Sequence, residues 1–273
     1  MTRLSIVVGI ATLIPGFAPG LSAAPPAAPL PSPTPVTTPA QLLAVALFTA
    51  IADHDIERLR LALNAGADPN TDLPHVPESD ALRQRFADGE IEYYFRREPG
   101  YTALMFAAAI GNEAATRYLL LAGADRHRLS KHSGTFALWQ AARNGHIEIM
   151  RLLMGIGPKS ESAQYRVDVD LATQRATVWK GLDLILTTEI SSGRESKPTP
   201  PGRYLITDKY RDWKSTIYPA RMPYFLRLSC ANFGLHAGVL PGYPASHGCV
   251  RLPPANAKKL FALLPIGTYV EIH

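Results

Sequence analysis

Cysteine is scarce in this chain of 273 residues, which holds only Cys230 and Cys249. Two cysteines give no disulfide framework, and the absence of a Cys-x-x-Cys pair removes the usual structural zinc site. Basic runs interleaved with aromatic residues are also missing, which argues against nucleic acid as a partner. Beyond the first residues no stretch is apolar and long enough to span a membrane. We therefore expect the chain to fold around ordinary hydrophobic cores, which its 47% of hydrophobic residues can supply.

The N-terminus has the layout of a secretory signal peptide. Arg3 makes the N-terminal region positively charged, and residues 4–14 form an apolar run. The mostly small residues at 21–24 provide a cleavage site. We therefore expect residues 1–24 to direct export to the periplasm or cell envelope, with an uncleaved membrane anchor as the alternative. Residues 25–40 are rich in proline, which predicts an extended polyproline II linker without a packed core.

Residues 41–160 contain an internal repeat. Leu104 and Leu138 occupy matching places in two copies and stand 34 residues apart, and an earlier copy ends in Gly-Ala-Asp at 66–68. Each copy combines a short helix rich in alanine, a turn, and a second helix rich in leucine. This content, at a period of about 33, resembles the ankyrin repeat, whose stacked helix pairs present a surface for binding proteins. An insertion near 71–99 separates the first two copies and is predicted to form an extra helix or a long hairpin.

The hydrophobic period changes to two at Tyr165, where Val167 and Val169 alternate with polar residues. Alternation of this kind predicts half-buried strands, and a single helix is expected to begin near Pro254. Residues 165–273 thus read as a mainly β domain. They hold 14 Lys and Arg against 8 Asp and Glu, whereas the remainder holds 14 against 15. The basic surplus lies in this domain, and it suits an anionic substrate.

The chemistry of this domain is concentrated in the stretch that begins at His236 and includes Ser-His-Gly-Cys-Val-Arg. A cysteine nucleophile needs a nearby base, because the thiolate is the reactive form. His236 is the better base for Cys249, since His247 is only two residues away and a catalytic ring usually approaches from another segment. The backbone N–H groups of Gly248 and Cys249 offer part of an oxyanion hole. Arg251 can form a bidentate pair with a carboxylate.

The order of a histidine, a short Gly/Pro loop and Ser-His-Gly-Cys-Val-Arg resembles the L,D-transpeptidases of the YkuD type. The segments Ser191–Gly193 and Thr199–Tyr204 resemble the S-x-G and T-P-x-G-x-[FY] parts of that family. The resemblance covers about residues 165–273. The expected fold is therefore an α-helical ankyrin repeat stack followed by a mainly β catalytic domain of the YkuD type.

The resemblance also implies a role for each matching residue. Cys249 would be the acylated nucleophile, and His236 would be its base, oriented by the backbone carbonyl of Ala237. The implied catalytic positions are Cys249, His236, His247 and Gly248. The implied substrate-binding positions are Ser246, Arg251, Ala237 and Tyr243. No metal or organic cofactor takes part in the chemistry that the resemblance implies.

Enzymes of this family attack the bond between the third and fourth residues of a peptidoglycan stem peptide. They release the terminal D-amino acid and pass the acyl group to an amine on a neighbouring stem. The short loop between His236 and Ser246 leaves the acceptor open. Water as acceptor would give an L,D-carboxypeptidase, and an attack on wall-to-protein links would give an amidase. A further alternative is a periplasmic protein-binding module in which the ankyrin repeats dominate and catalysis is secondary.

The remaining cysteine and the histidines of the repeats are expected to be structural. Cys230 lies in an apolar stretch, which favours a place in the core. His54, His127, His132 and His146 lie in the repeats, where hydrogen bonds in turns are more common than metal binding.

Overall fold

The computed structural model describes residues 36–87, 89–157, 159–215, 217 and 220–273. The predicted signal peptide and most of the predicted linker lie outside the described residues. Thr37–His273 form one compact unit. Within the described part of the chain, no helix combines the length and the apolar character needed to cross a bilayer.

Three helix pairs build the N-terminal part. They are α1 (Pro39–Ala52) with α2 (Ile56–Asn64), α5 (Ala103–Ala109) with α6 (Glu113–Leu121), and α7 (Ala137–Arg143) with α8 (Ile147–Leu153). The insertion adds a 3-10 turn and two short helices, α3 (Asp80–Arg85) and α4 (Glu90–Arg97), so it is helical and not a hairpin. Helix α1 begins inside the predicted linker because Thr38 and Gln41 form a capping box that satisfies its first N–H groups.

The turns of successive repeats interlock. Gly111 has a φ of +78°, and a Cβ at this position would lie 2.6 Å from the ring of His146 in the next repeat. Nε2 of that ring lies 3.2 Å from the carbonyl oxygen of Ala109 and donates to it. On the other side, Nδ2 of Asn112 donates to the carbonyl oxygen of Ile51 at 2.9 Å. His146 thus has the structural role expected from the sequence.

The C-terminal part is a single sheet in the order β3-β2-β1-β8-β4-β5-β6-β7. Its strands are β1 (Tyr165–Asp170), β2 (Arg175–Lys180), β3 (Asp183–Glu189), β4 (Gly202–Lys214), β5 (Arg221–Leu228), β6 (Gly234–Ala237), β7 (Val250–Leu252) and β8 (Tyr269–Ile272). The long β4 pairs with β8 through its first residues and with β5 through the rest. Helix α9 (Pro254–Leu263) begins at the predicted proline, and it packs against β5 and β6.

The last repeat packs directly on the sheet. Leu205 of β4 has no exposed surface and belongs to the hydrophobic core of the helical stack. The Sδ atom of Met150 in α8 lies 3.8 Å from Oγ of Ser229, at the end of β5. A Cβ at Gly267 would lie 2.3 Å from Cδ1 of Ile156, so the backbone before β8 reaches the end of the stack closely. The sheet therefore covers the open end of the repeats, where solenoid proteins otherwise need a capping repeat.

Candidate active site

The pairing of β6 with β7 brings the predicted nucleophile and base to one face of the sheet. The strands are parallel, and His236 lies opposite Arg251. Because side chains alternate along a strand, Cys249 lies on the same face as Arg251, one step before β7. The residue opposite Cys249 in this register is Gly234, which has no side chain to fill the space. Leu235 points the other way and is fully buried in the core.

His236 is buried, with 6% of its surface exposed. Its Nδ1 lies 2.7 Å from the carbonyl oxygen of Ala237. A carbonyl can only accept, so Nδ1 carries the proton and Nε2 keeps the lone pair that a base needs. Burial lowers the pKa of His236, and Arg251 lowers it further, while the hydrogen bond to Ala237 opposes both. The ring is therefore neutral at neutral pH.

The thiol of Cys249 is half-buried, and its Sγ lies 4.0 Å from Sδ of Met222. Burial raises the pKa of Cys249, while the backbone of Gly234 and the charge of Arg251 lower it. The balance leaves the thiol protonated at neutral pH. The resting pair is thus a thiol with a neutral imidazole.

The loop that carries the cysteine is held by hydroxyl groups. Oγ of Ser246 donates to the carbonyl oxygen of Cys249 and accepts from the N–H of Gly248 at 3.1 Å. Oγ1 of Thr199 donates to the carbonyl oxygen of Gly248 at 2.9 Å. Gly248 has a φ of +114°, which only glycine adopts easily, so the loop requires it at this position. Because the Gly248 N–H is already donated to Ser246, the N–H of Cys249 is the better candidate for an oxyanion donor.

The upstream motif is tied to the same loop. Ser191 and Arg251 exchange two backbone hydrogen bonds of 3.0 Å. The N–H of Gly193 donates to Oγ1 of Thr199 at 2.8 Å. A Cβ at Gly193 would lie 2.2 Å from the carbonyl oxygen of Lys197, so no other residue fits there without moving the backbone. The two motifs recognised in the sequence therefore form one structure around the cysteine.

A cleft of about 350 Å³ opens over this face of the sheet. Among the described residues that line it are His236, Ser246, His247, Gly248, Cys249 and Arg251. The charged side chains in its described lining are Lys197 and Arg251, both cationic. Partial loss of hydration, and then the positive charges of Arg194, Arg251 and Lys197, lower the pKa of His247 at the exposed rim. The cleft therefore has a positive field that suits a ligand carrying carboxylates.

Residues 164–272 match the family model YkuD, described as the L,D-transpeptidase catalytic domain. Residues 47–162 match the model of the ankyrin repeats, in three copies. The chain carries an L,D-transpeptidase catalytic domain preceded by ankyrin repeats. Both parts agree with the fold expected from the sequence, an α-helical stack followed by a mainly β domain.

Solved structures of L,D-transpeptidases resemble part of this chain. One from Mycobacterium smegmatis is 20% identical, with 40% of this chain and 58% of that chain covered and a TM-score of 0.38. One from Mycobacterium tuberculosis H37Rv is 22% identical, with 40% and 57% covered and a TM-score of 0.38. A cysteine-to-serine mutant from Enterococcus faecium is 27% identical, with 40% and 50% covered and a TM-score of 0.37. The chain thus spans only part of the length of each. A search of curated proteins found no match.

Three predicted site residues of the L,D-transpeptidase domain differ in placement from the rest. Ala237 is 7% exposed, packs in the hydrophobic core of the sheet and is absent from the described lining of the cleft. Tyr243 is 61% exposed and is absent from the described lining of the cleft, and its carbonyl oxygen accepts a hydrogen bond from Ser191 Oγ at 2.8 Å. His247 is exposed at the rim and lies in a bend, so it does not share a strand face with Cys249. Their roles in binding and catalysis stay predictions.

Several residues that line the cleft of the L,D-transpeptidase domain were not singled out from the sequence. They include Lys197, Pro198, Met222, Asn232 and Phe233. Lys197 lies two residues before the motif residue Thr199, so its position in the sequence could have identified it. Met222 lies in β5, and only the folded structure brings it near the thiol. Burial raises the pKa of the other cysteine, Cys230, to about 11, which agrees with its predicted structural character.

Proposed function

We propose that this chain is an exported peptidoglycan L,D-transpeptidase that forms an acyl-enzyme on Cys249. The observation that carries the proposal is the placement of His236 and Cys249 on one sheet face beside a cationic cleft. The hydrogen bond from Nδ1 of His236 to Ala237 supports it, since this bond leaves Nε2 free to accept the proton of the thiol.

In the acylation step, Nε2 of His236 takes the thiol proton while Sγ of Cys249 attacks the carbonyl carbon of the third stem residue. The carbonyl oxygen gains the electron pair and becomes an oxyanion. When the tetrahedral intermediate collapses, the bond to the fourth residue breaks and the imidazolium returns its proton to the leaving amine. A thioester between Cys249 and the stem remains.

In the second step, the amine of another stem or of a wall-linked protein attacks the thioester. The neutral His236 then takes the amine proton, and the thiol is regenerated. Water in place of the amine would release a free tripeptide, which is the carboxypeptidase outcome. The residues from Val239 to Pro244, which follow His236 in the chain, are mostly exposed.

The positive field of the cleft fits the stem peptide, whose free carboxylates carry negative charge. Lys197 and Arg251 flank the thiol from two different segments, and Arg251 also contacts the backbone near Gly238. A guanidinium forms two parallel hydrogen bonds with a carboxylate, so Arg251 is the stronger candidate for orienting the donor.

The N-terminal sequence and the repeats complete the proposal. Residues 1–24 would direct the chain to the periplasm or cell envelope, where its substrate lies. The ankyrin repeats would bind a protein of the envelope through their concave face, since this is the usual role of such surfaces.

The test is incubation of the purified chain, without its signal peptide, with disaccharide-tetrapeptide stems, followed by mass spectrometry. We expect dimers joined through their third residues and release of the terminal residue. The Cys249→Ala variant is the control and should form neither product. Formation of tripeptide without dimer would show that the acyl group is passed to water and not to another stem. An unchanged substrate with the wild type would refute the proposal.

A further inference from the structure

The side chain of Thr199 holds a central place beside the nucleophile, although it is absent from the described lining of the cleft. It is 2% exposed, and its hydroxyl takes part in two hydrogen bonds. Oγ1 accepts from the N–H of Gly193 at 2.8 Å and donates to the carbonyl oxygen of Gly248 at 2.9 Å. Because a carbonyl oxygen can only accept, the hydroxyl donates its single proton to Gly248, and the N–H of Gly193 donates to a lone pair of the same oxygen.

This second bond fixes the orientation of one peptide group. The carbonyl of Gly248 and the N–H of Cys249 belong to the same planar trans peptide, so they point in opposite directions. With the carbonyl turned to the buried Thr199, the N–H of Cys249 points away from Thr199, and both Gly248 and Cys249 line the cleft. The neighbouring carbonyl of Cys249 is held separately by Oγ of Ser246.

The loop needs such a restraint because its backbone is unusual. Gly248 has a φ of +114°, and glycine gives a loop the freedom to turn its peptide groups. The N–H of Gly248 is donated to Ser246 and is not available to a ligand in this arrangement. The orientation of the next peptide therefore decides whether any N–H of the loop can face an oxyanion.

We propose that Thr199 is a positioning residue, whose hydroxyl turns the Gly248–Cys249 peptide so that the Cys249 N–H stabilises the oxyanion of the acylation step. This inference rests on the proposed function for the reaction in which the oxyanion forms. As Sγ bonds to the substrate carbonyl carbon, the electron pair moves to the carbonyl oxygen, and the Cys249 N–H donates to that oxygen. Thr199 is absent from the described lining of the cleft, so its effect would pass through the Gly248–Cys249 peptide.

The variant that tests this is Thr199→Val, which keeps the shape of the side chain and removes the hydroxyl. Thr199→Ser restores the hydroxyl and serves as the conservative rescue. The matched control is Thr188→Val, because Thr188 is 4% exposed and its hydroxyl also joins two groups, the Asn256 side chain at 2.7 Å and the Glu189 carbonyl at 3.1 Å. Thr188 lies in β3, away from the cysteine loop in the chain.

Two reactions of Cys249 separate positioning from a general loss of structure. Acylation by a carbapenem passes through an oxyanion, whereas alkylation by iodoacetamide does not. We expect Thr199→Val to slow acylation by about 10- to 100-fold, somewhat less than the complete loss of an oxyanion donor. Reversible carbapenem binding and the alkylation rate of Cys249, followed by peptide mass, should stay close to those of Thr188→Val, and Thr199→Ser should recover most of the acylation rate.

Equal acylation by Thr199→Val and Thr188→Val would overturn the inference, and so would a parallel loss of acylation and alkylation. A crystal structure of Thr199→Val is an independent test. A changed orientation of the Gly248–Cys249 peptide supports the inference, and an unchanged orientation contradicts it. A wild type that is not acylated at all refutes the proposed function instead, and the crystal structure then decides the role of Thr199.

Discussion

At the residue scale, the environment sets the proton positions of the two reacting side chains. His236 is buried, which lowers its pKa, and its hydrogen bond to the Ala237 carbonyl fixes its tautomer. Burial raises the pKa of Cys249. Both shifts favour the neutral pair over a thiolate–imidazolium pair. In the proposed mechanism, the thiolate is therefore made at the moment of attack, and its formation depends on His236.

This pair predicts the pH dependence of acylation. The rate requires neutral His236, whose pKa lies below the ordinary value, so it should stay constant as pH falls to about 6.5 and decline only below that point. In His236→Gln no base remains, and the rate should instead rise about tenfold per pH unit through the neutral range, following the thiolate fraction. Stopped-flow acylation with a carbapenem measures both profiles.

In the same experiment, His236→Gln should be slower at neutral pH by about 10²- to 10⁴-fold, the usual contribution of a general base. A wild-type profile that rises tenfold per unit, parallel to that of the variant, would show that His236 does not act as the base.

The sequence motif predicted the roles of these residues but not their contacts. His236 and Cys249 were assigned from the motif, and the strand register now explains how they meet. The donation of the Gly248 N–H to Ser246 could not be foreseen, because it depends on the φ of one glycine. Met222 was missed for a similar reason, since it comes from a strand whose partner in space no local pattern reveals.

At the scale of elements, two segments far apart in the chain act as one. The backbone of Ser191 pairs with that of Arg251, and Gly193 approaches Lys197 and Thr199 so closely that no Cβ fits. The sequence recognised each segment as part of a family motif. Their physical connection depends on the bridge between Ser191, two residues after β3, and Arg251 of β7, which is a long-range property.

Gly193→Ala tests this connection. Its Cβ would overlap the Lys197 carbonyl oxygen and the Thr199 N, at 2.2 and 2.6 Å, so the backbone must move. We expect a loss of about 1–3 kcal/mol in the free energy of unfolding, as for other overpacked sites. Carbapenem acylation should fall as well, because Thr199 shifts.

Gly157→Ala is the control for Gly193→Ala, since a Cβ there would meet nothing within 4 Å. Chemical denaturation and acylation kinetics of the two variants give the comparison. If Gly193→Ala resembles Gly157→Ala in both measurements, the upstream motif is not needed to hold the cysteine loop.

The repeats offer a second test at this scale. Gly111→Ala should destabilise the chain both through its positive φ and through contact with the His146 ring. In a double-mutant cycle, His146→Ala should reduce the cost of Gly111→Ala by about 0.5–3 kcal/mol, the range for residues in contact. Urea unfolding followed by circular dichroism measures the cycle, and additive costs would show that the two turns do not interlock.

At the scale of the whole molecule, the repeats and the catalytic sheet share a hydrophobic core. Leu205 of the sheet lies in the core of the stack, and Met150 of the stack contacts Ser229 of the sheet. The sequence indicated two domains with a change of period between them. It gave no sign of the shared core, because Leu205 and Met150 each fit the pattern of their own domain.

The shared core predicts that the two parts unfold together. Met150 has no exposed surface, so Met150→Ala should cost about 2–5 kcal/mol. We follow urea unfolding of this variant by two measurements, the helical circular dichroism signal and the fraction of chains in which Cys249 can still be acylated. We expect the midpoint to fall by the same amount in both. Tyr118→Ala, at a side chain that is 36% exposed in α6, is the control and should change both midpoints little. Two separate transitions would show that the parts are independent.

The central claim is that Cys249 is the acylated nucleophile of this L,D-transpeptidase domain. The most direct measurement is the intact mass of the purified chain after exposure to a carbapenem, with the modified peptide identified by fragmentation. We predict one adduct per chain on Cys249, none in Cys249→Ala, and an unchanged adduct in Cys230→Ala. An unmodified wild type, or an adduct that persists in Cys249→Ala, would contradict the claim.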